Sequence, residues 1–308
     1  MSRRPLRLLT ALALAAGVAL VPTAASAAPL PGVLSLKPGS RPEGIAGGPG
    51  STYYAGAMSD GAVYTGDLRK GTRRLLVPPS GERAARGMQY DERTGVLWVV
   101  GEARLADGTT RSSVTAYDAQ TGALLRRQVV PGQRFLNDVQ VTPDRVFVTD
   151  SLNGELVVVT LAGVETLPLR GDWVQPEGFG ANGIRQLPNG DLVITKSETG
   201  ELFRVDRDTG VADRIELRGT PLVSGDGLTI IGSTLYVVYG FGTNGIAVVE
   251  LGEGARSGRV VGQLTDPDLD RPTTAVVAAG ALYAVNGRFG VTPTPTTRYQ
   301  IVRVPLAG

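Results

Sequence analysis

The chain has 308 residues, with 31 Lys and Arg against 29 Asp and Glu, no cysteine and no histidine. Without cysteine there are no disulfide staples, so a hydrophobic core must hold the fold, and a chain this long can bury one. Without histidine there is no Ser-His-Asp or Cys-His catalysis and no imidazole-bound zinc, copper or iron, which leaves carboxylates, Lys, Tyr, Arg or an oxygen-held metal to do any chemistry.

The first segment reads as a leader. Arg3, Arg4 and Arg7 precede an apolar run from Leu8 to Leu20, and Ala25-Ser26-Ala27 is a small-residue cleavage site before Ala28. Residues 1–27 are expected to be a secretory signal peptide on the Sec or the twin-arginine route, and 28–308 a single secreted domain. Removing the leader takes three arginines and leaves 28 basic against 29 acidic residues, net −1. No basic run with interleaved aromatics remains, so nucleic acid is not expected as a partner. No later apolar run is long enough to span a membrane.

A short pattern then recurs six times at a spacing of about 45 residues. The copies begin at Glu43, Arg86, Asn137, Asn182, Asp226 and Thr273, in steps of 43, 51, 45, 44 and 47. Each leads into an apolar run, a turn and a second run rich in Val, Tyr or Trp. A repeat of this length, made of four short strands, predicts an all-β, six-bladed β-propeller. Blade one is expected at Ile45, 52–55, 62–66 and 73–76, and blade two at 87–90, 96–101, 113–117 and 123–130. Blade three is expected at 139–141, 146–149, 155–159 and 165–169, with Trp98 packed between blades. Blade four follows at 183–187, 191–195, 201–205 and 211–217, and blade five at 228–231, 234–239, 246–251 and 260–264. Blade six has only 275–277, 281–285 and 299–304. Gly32 to Leu36 is free to supply its fourth strand and close the ring, which would remove an exposed sheet edge.

In a propeller the starts of the inner strands crowd around one mouth of the central channel. Glu43, Arg86, Asn137, Asn182, Asp226 and Thr273 would therefore be neighbours. Two carboxylates and two amide carbonyls aimed at one spot suit Ca²⁺ or another hard divalent cation, and none of the six positions offers sulfur or imidazole to a soft one. Singly, Asn-Gly, Asp-Gly and Asn-Asp are also ordinary turn dipeptides. Arg86 and Thr273 are candidates for substrate contact or for structural hydrogen bonds. Asp138 is a candidate for orienting Asn137 or for contacting substrate.

The segments Pro42-Glu43-Gly44-Ile45, Leu136-Asn137-Asp138-Val139, Ala181-Asn182-Gly183-Ile184 and Gly225-Asp226-Gly227-Leu228 resemble the signatures of the gluconolactonase/regucalcin family of six-bladed propellers. Diisopropyl fluorophosphatase is similar. The resemblance implies a divalent metal, usually Ca²⁺, on Glu43, Asn182 and Asp226, with Asn137 in or beside the shell. It also implies that Asp226 is the general base or nucleophile of a lactone or ester hydrolase. Such lactonases place an arginine two residues before the asparagine matching Asn137. Here that place is Phe135, with Arg134 one residue further back, which argues for a less polar substrate than a sugar lactone. The expectation is a secreted, monomeric hydrolase of small lactones or esters; the alternative is a binding or scaffold propeller with a structural cation. Glu177, Lys196 and Glu198 are expected in solvent at the rim, and Trp173 is a candidate pocket wall.

Overall fold

The computed structural model describes residues 30–306. The expected signal peptide, residues 1–27, lies outside them. Six sheets follow one another along the chain, each built on a run of antiparallel strands that lie side by side in chain order, with an added outer strand from an earlier part of the chain in blades four, five and six. The inner strands are Ile45–Gly47, Arg83–Asp91, Leu136–Val141, Ala181–Gln186, Leu228–Ile231 and Pro272–Ala278. The chain forms a six-bladed β-propeller.

Each blade is sandwiched between two others, so its middle strands are covered on both faces. The strands Val146–Asp150 and Leu192–Lys196 are buried at every residue. That is why they read as short continuous runs rather than as alternating patterns. The core is divided accordingly among the blade interfaces. Val100, Val114 and Val148 fill the gap between blades two and three, with Trp98 packed against them. Phe147, Trp173, Ile184 and Phe203 fill that between blades three and four, together with Leu192 and Ile194.

The ring closes as the sequence predicts. Val33–Ser35 pairs antiparallel with the last strand, Gln300–Val304, setting Val33 against Val302 and Leu34 against Ile301.

Three features differ from the sequence reading. Blades four and five each have a fifth strand: Arg170–Gly171 pairs parallel with Val211–Ala212, and Glu216–Arg218 pairs parallel with Ser257–Arg259. The expected strand 211–217 breaks at Ile215, which is buried and whose N–H donates to the Leu202 carbonyl at 2.8 Å, and the chain then crosses to the edge of blade five. Blade two is longer than expected, with strands Arg83–Asp91, Val96–Arg104 and Thr110–Asp118. A register shift between Ala85 and Met88 lets its inner strand run on through Arg86 and Gly87.

Candidate functional site

The inner strands begin at one mouth of the channel, and side chains from successive blades stitch them together there. The Arg86 Nη1 donates to the Leu136 carbonyl at 3.3 Å, linking blades two and three. Ser151 Oγ donates to the Ala181 carbonyl at 2.7 Å and Thr149 Oγ1 to the Asn182 carbonyl at 2.6 Å, linking three and four. Ser197 Oγ donates to the Gly225 carbonyl at 2.6 Å, linking four and five. Thr273 Oγ1 donates to the Glu43 carbonyl at 2.6 Å, closing six onto one.

The glycine after each of four ring residues has a steric cause. A Cβ on Gly44 would lie 2.3 Å from the Arg86 carbonyl oxygen, on Gly87 2.3 Å from that of Asn137, and on Gly183 2.3 Å from that of Asp226. On Gly227 it would lie 2.8 Å from Thr274 Cα. None of these four glycines has a positive φ. They are close-approach positions between neighbouring inner strands, so the turn reading of the dipeptides does not apply.

Packed this tightly, the ring side chains leave polar atoms without partners. Glu43, Asn137 and Asn182 are buried, and Glu43 Oε2, Asn137 Oδ1 and Asn182 Oδ1 each lack any hydrogen-bond donor. The two amides are oriented from behind. Asn137 Nδ2 donates to Ser151 Oγ at 3.1 Å, and Asn182 Nδ2 donates to Ser197 Oγ at 2.9 Å. Each serine gives its own proton to the next blade's carbonyl, so each can only accept from the amide nitrogen. Both side-chain carbonyls are thereby left free. Buried acceptors normally find donors, and three orphans in one ring need a cause.

The carboxylates feel one another across the ring. Burial pushes the Glu43 carboxyl well above the usual range, the charges of Asp226 and Asp138 push it further, and Arg86 pulls it back. Asp226 is half-buried as a residue, with its carboxyl on the buried side. Burial of its carboxyl and the charge of Asp138 push it up to about 8, against the opposing Asn182 amide and Gly227 N–H. Groups on blades one, two, three, four and five therefore meet in one field. Among the described residues no cluster of three or more acidic side chains could by itself hold a metal. A set of two carboxylates and two amide carbonyls is of a different kind.

Two expected substrate contacts are already occupied. Thr273 is buried and its hydroxyl is the blade-closing stitch. Asp138 is ion-paired with Arg185 Nη1 at 2.8 Å and accepts from the Val139 N–H at 2.8 Å. It anchors the inner strand of blade three to that of blade four. Arg86 is buried, ion-paired with Glu102 and stacked with its Cζ 4.0 Å from the centre of the Phe135 ring, yet its Nε has no partner. Arg134 is engaged away from the ring, by Asp150 and Glu155.

Other expectations change as well. Lys196 is not in solvent: it is buried, paired with Glu201 at 3.1 Å, and lies over the Trp173 and Phe203 rings. Trp173 is a core residue in edge contact with Phe203 rather than a pocket wall. Glu177 and Glu198 are exposed. Sequence reasoning missed Ser151 and Ser197. Their signal is the repeated Thr-x-Ser, at 149–151 and 195–197, closing the second strands of blades three and four.

Fold and ring together define a six-bladed propeller with an oxygen-acceptor ring at one channel mouth. The chain belongs to the PQQ_2 family, described as outer membrane protein assembly factor BamB, which it matches over residues 69–290. The likeness to the gluconolactonase/regucalcin group rests on the ring motifs alone. No curated protein matches the sequence. Among solved structures, the allergen Mala s 1 of Malassezia sympodialis is 15% identical with a TM-score of 0.69, covering 90% of this chain and 96% of that one. Virginiamycin B lyase from Staphylococcus aureus is 10% identical with a TM-score of 0.58, covering 89% and 99%. The PQQ-bound aldose sugar dehydrogenase of Streptomyces coelicolor is 14% identical with a TM-score of 0.57, covering 90% and 100%. At these identities the likeness is one of fold.

Proposed function

We propose that this is a secreted hydrolase of lactones or related esters that depends on a divalent cation, Ca²⁺ by its donor set. The observation that carries the reading is the trio of buried acceptors without donors, Glu43 Oε2, Asn137 Oδ1 and Asn182 Oδ1, in the shared field of Asp226. Two carboxylates and two amide carbonyls match a hard cation that takes six to eight oxygens and accepts waters in the remainder. Glu43, Asn137, Asn182 and Asp226 would hold it. Bound there, the cation supplies Lewis acidity at a substrate carbonyl. Ser151 and Ser197 keep both amide oxygens turned to the ring. As a residue Asp226 is the least buried of the four proposed ligands, and it is the carboxylate we assign to take a proton from water. Water adds to the carbonyl carbon, the ring C–O bond breaks, the released alkoxide regains the proton, and a hydroxy acid leaves. No histidine is needed, because the leaving group is an alkoxide and not a poor amine.

An anionic quinone of the kind named for the aldose sugar dehydrogenase fits less well. Arg86, the cation felt by Glu43, is already paired with Glu102, and the orphan atoms at the ring are mostly acceptors.

The family description favours a second reading, in which the protein is an assembly or binding module and the cation only ties blades together. One experiment separates them. Calorimetry with Ca²⁺, followed by lactone hydrolysis with and without chelator, is expected to show one cation per chain and chelator-sensitive turnover. Binding without turnover of any lactone or ester supports the module; no binding defeats both.

A further inference from the structure

On one side, over blades three to five, the mouth that carries the ring bears exposed apolar side chains. The loops entering the blades and those joining second to third strands lie on this face. Among the exposed large hydrophobic residues, Leu152, Val174, Phe179, Val223 and Phe241 all stand on those loops. The patch reaches the ring itself. Phe179, 47% exposed, packs edge-on against Phe135 with centroids 4.9 Å apart. Phe135 carries the Arg86 guanidinium on its face at 4.0 Å. Its backbone is fixed, the N–H donating to Asp150 Oδ1 at 3.1 Å and the carbonyl accepting from Ser151 N–H at 2.9 Å. The wall is therefore held by Ser151, which also orients Asn137. The buried Nε–H of Arg86 is likewise without a partner. A cation would satisfy the acceptors but not this donor, which a ligand's oxygen would.

We infer that the substrate of this site is a lactone or ester with an apolar body, an alkyl or aryl substituent that lies on the Phe135–Phe179 wall while Arg86 Nε donates to its carbonyl oxygen. This rests on the hydrolase reading above and adds to it the class of substrate. A sugar lactone would set its hydroxyls against two phenyl rings that offer them no partner. An apolar wall of this kind discriminates by the area it covers, roughly tenfold or more for a few methylenes.

The test uses the calcium-loaded protein and two lactones with the same ring, δ-valerolactone and δ-dodecanolactone, with glucono-δ-lactone as the polar comparison. Wild type is expected to prefer the dodecanolactone in kcat/KM over both others by about tenfold or more. The Phe179→Ala variant, at an exposed position, should lower kcat/KM for dodecanolactone at least about tenfold more than for valerolactone, and Phe179→Leu should recover most of it. Arg86→Lys should lower turnover of the two alike. Preference for glucono-δ-lactone, or equal losses for both lactones in Phe179→Ala, overturns the inference and leaves the hydrolase reading standing. Calorimetric binding of the heptyl lactam that corresponds to dodecanolactone reads the wall without turnover. If it binds wild type but not Phe179→Ala and no lactone is opened, the wall stands and the hydrolase reading falls. If the lactam does not bind and no lactone is opened, both fall.

Discussion

The channel opens on both faces of the disc, and the same six inner strands build its two openings in opposite ways. At their starts they converge so closely that a methyl group fits at none of Gly44, Gly87 or Gly183, and acceptor oxygens are left bare. At the other end they splay around a cavity of about 690 Å³ whose lining includes Gln89, Gln140, Arg185, Gln186 and Thr229. There the polar groups are committed. Gln89 Oε1 accepts the Val141 N–H at 2.6 Å, Gln140 Oε1 accepts the Gln186 N–H at 3.1 Å, and Gln140 Nε2 donates to the Val141 carbonyl at 2.8 Å. The polar lining of this cavity is thus chemically settled, and none of the ring residues belongs to it. Space alone is a poor guide to chemistry in this channel; unfinished hydrogen bonding is a better one. Arg185 marks the division, lining the far cavity while it holds Asp138 at 2.8 Å.

The contrast is challenged most directly at Asp226. Asp226→Asn keeps the shape and removes a charge and a proton acceptor. It is expected to lower chelator-sensitive lactone turnover by about 100-fold or more, the scale of losing a group that acts on developing charge. Initial rates with and without chelator measure it. Retained turnover would move the chemistry away from the ring.

Next come paired substitutions at the two ends. At the near mouth, Asn182→Leu removes an orphan acceptor. Calcium affinity by calorimetry should fall at least about tenfold, while stability in chelator should change by less than about 1 kcal/mol, because relief of the orphan Oδ1 offsets loss of the Nδ2 bond to Ser197 Oγ. At the far mouth, Gln140→Leu strands the Gln186 N–H and the Val141 carbonyl, so it should cost about 1–3 kcal/mol in urea unfolding with calcium affinity unchanged. Calcium at a hundredfold excess over its Kd should stabilise wild type by about 2.7 kcal/mol, and Asn182→Leu correspondingly less. Equal behaviour of the two variants in chelator would dissolve the contrast between the openings.

Much of this was legible in the sequence, and the reason is burial. Strands covered on both faces, such as Leu192–Lys196, must be short apolar runs, so blade order and the closing pair of Val33–Ser35 with Gln300–Val304 could be read in advance. The ring residues were legible because they recur at one phase. What could not be read is what tertiary pairing adds afterwards. Arg170–Gly171 and Glu216–Arg218 are exposed edge strands with no apolar run to announce them. Lys196 looks like a rim charge until Trp173 and Glu201 close over it. Asp138 and Thr273 carry ring-like chemistry in ring-like places, and the sequence does not announce the partners that hold them, Arg185 and the Glu43 carbonyl.

A weaker signal still is the dependence of stability on pH in the absence of calcium, and it isolates the crowding of carboxyls at the near mouth. The Asp226 carboxyl is raised from 3.8 to about 8 in the fold, chiefly by burial and then by Asp138, and Glu43 moves in the same direction. Between these values the native state keeps a proton that the unfolded chain has released. Stability must then fall as pH rises through that window and level off above it. The acids whose carboxyls are lowered, Asp91 and Asp206 among them, act in the opposite sense but only at pH below about 4, where unfolded carboxyls titrate. Urea midpoints in chelator from pH 5 to 8 should therefore decline for wild type, less steeply for Asp226→Asn, and as in wild type for Gln140→Leu. Saturating calcium should flatten the wild-type curve, because the cation takes the place of the retained proton. A flat curve in chelator, the same in wild type and Asp226→Asn, would mean that the ring carboxyls are not pressed together, and the difference between the two openings would lose its electrostatic half.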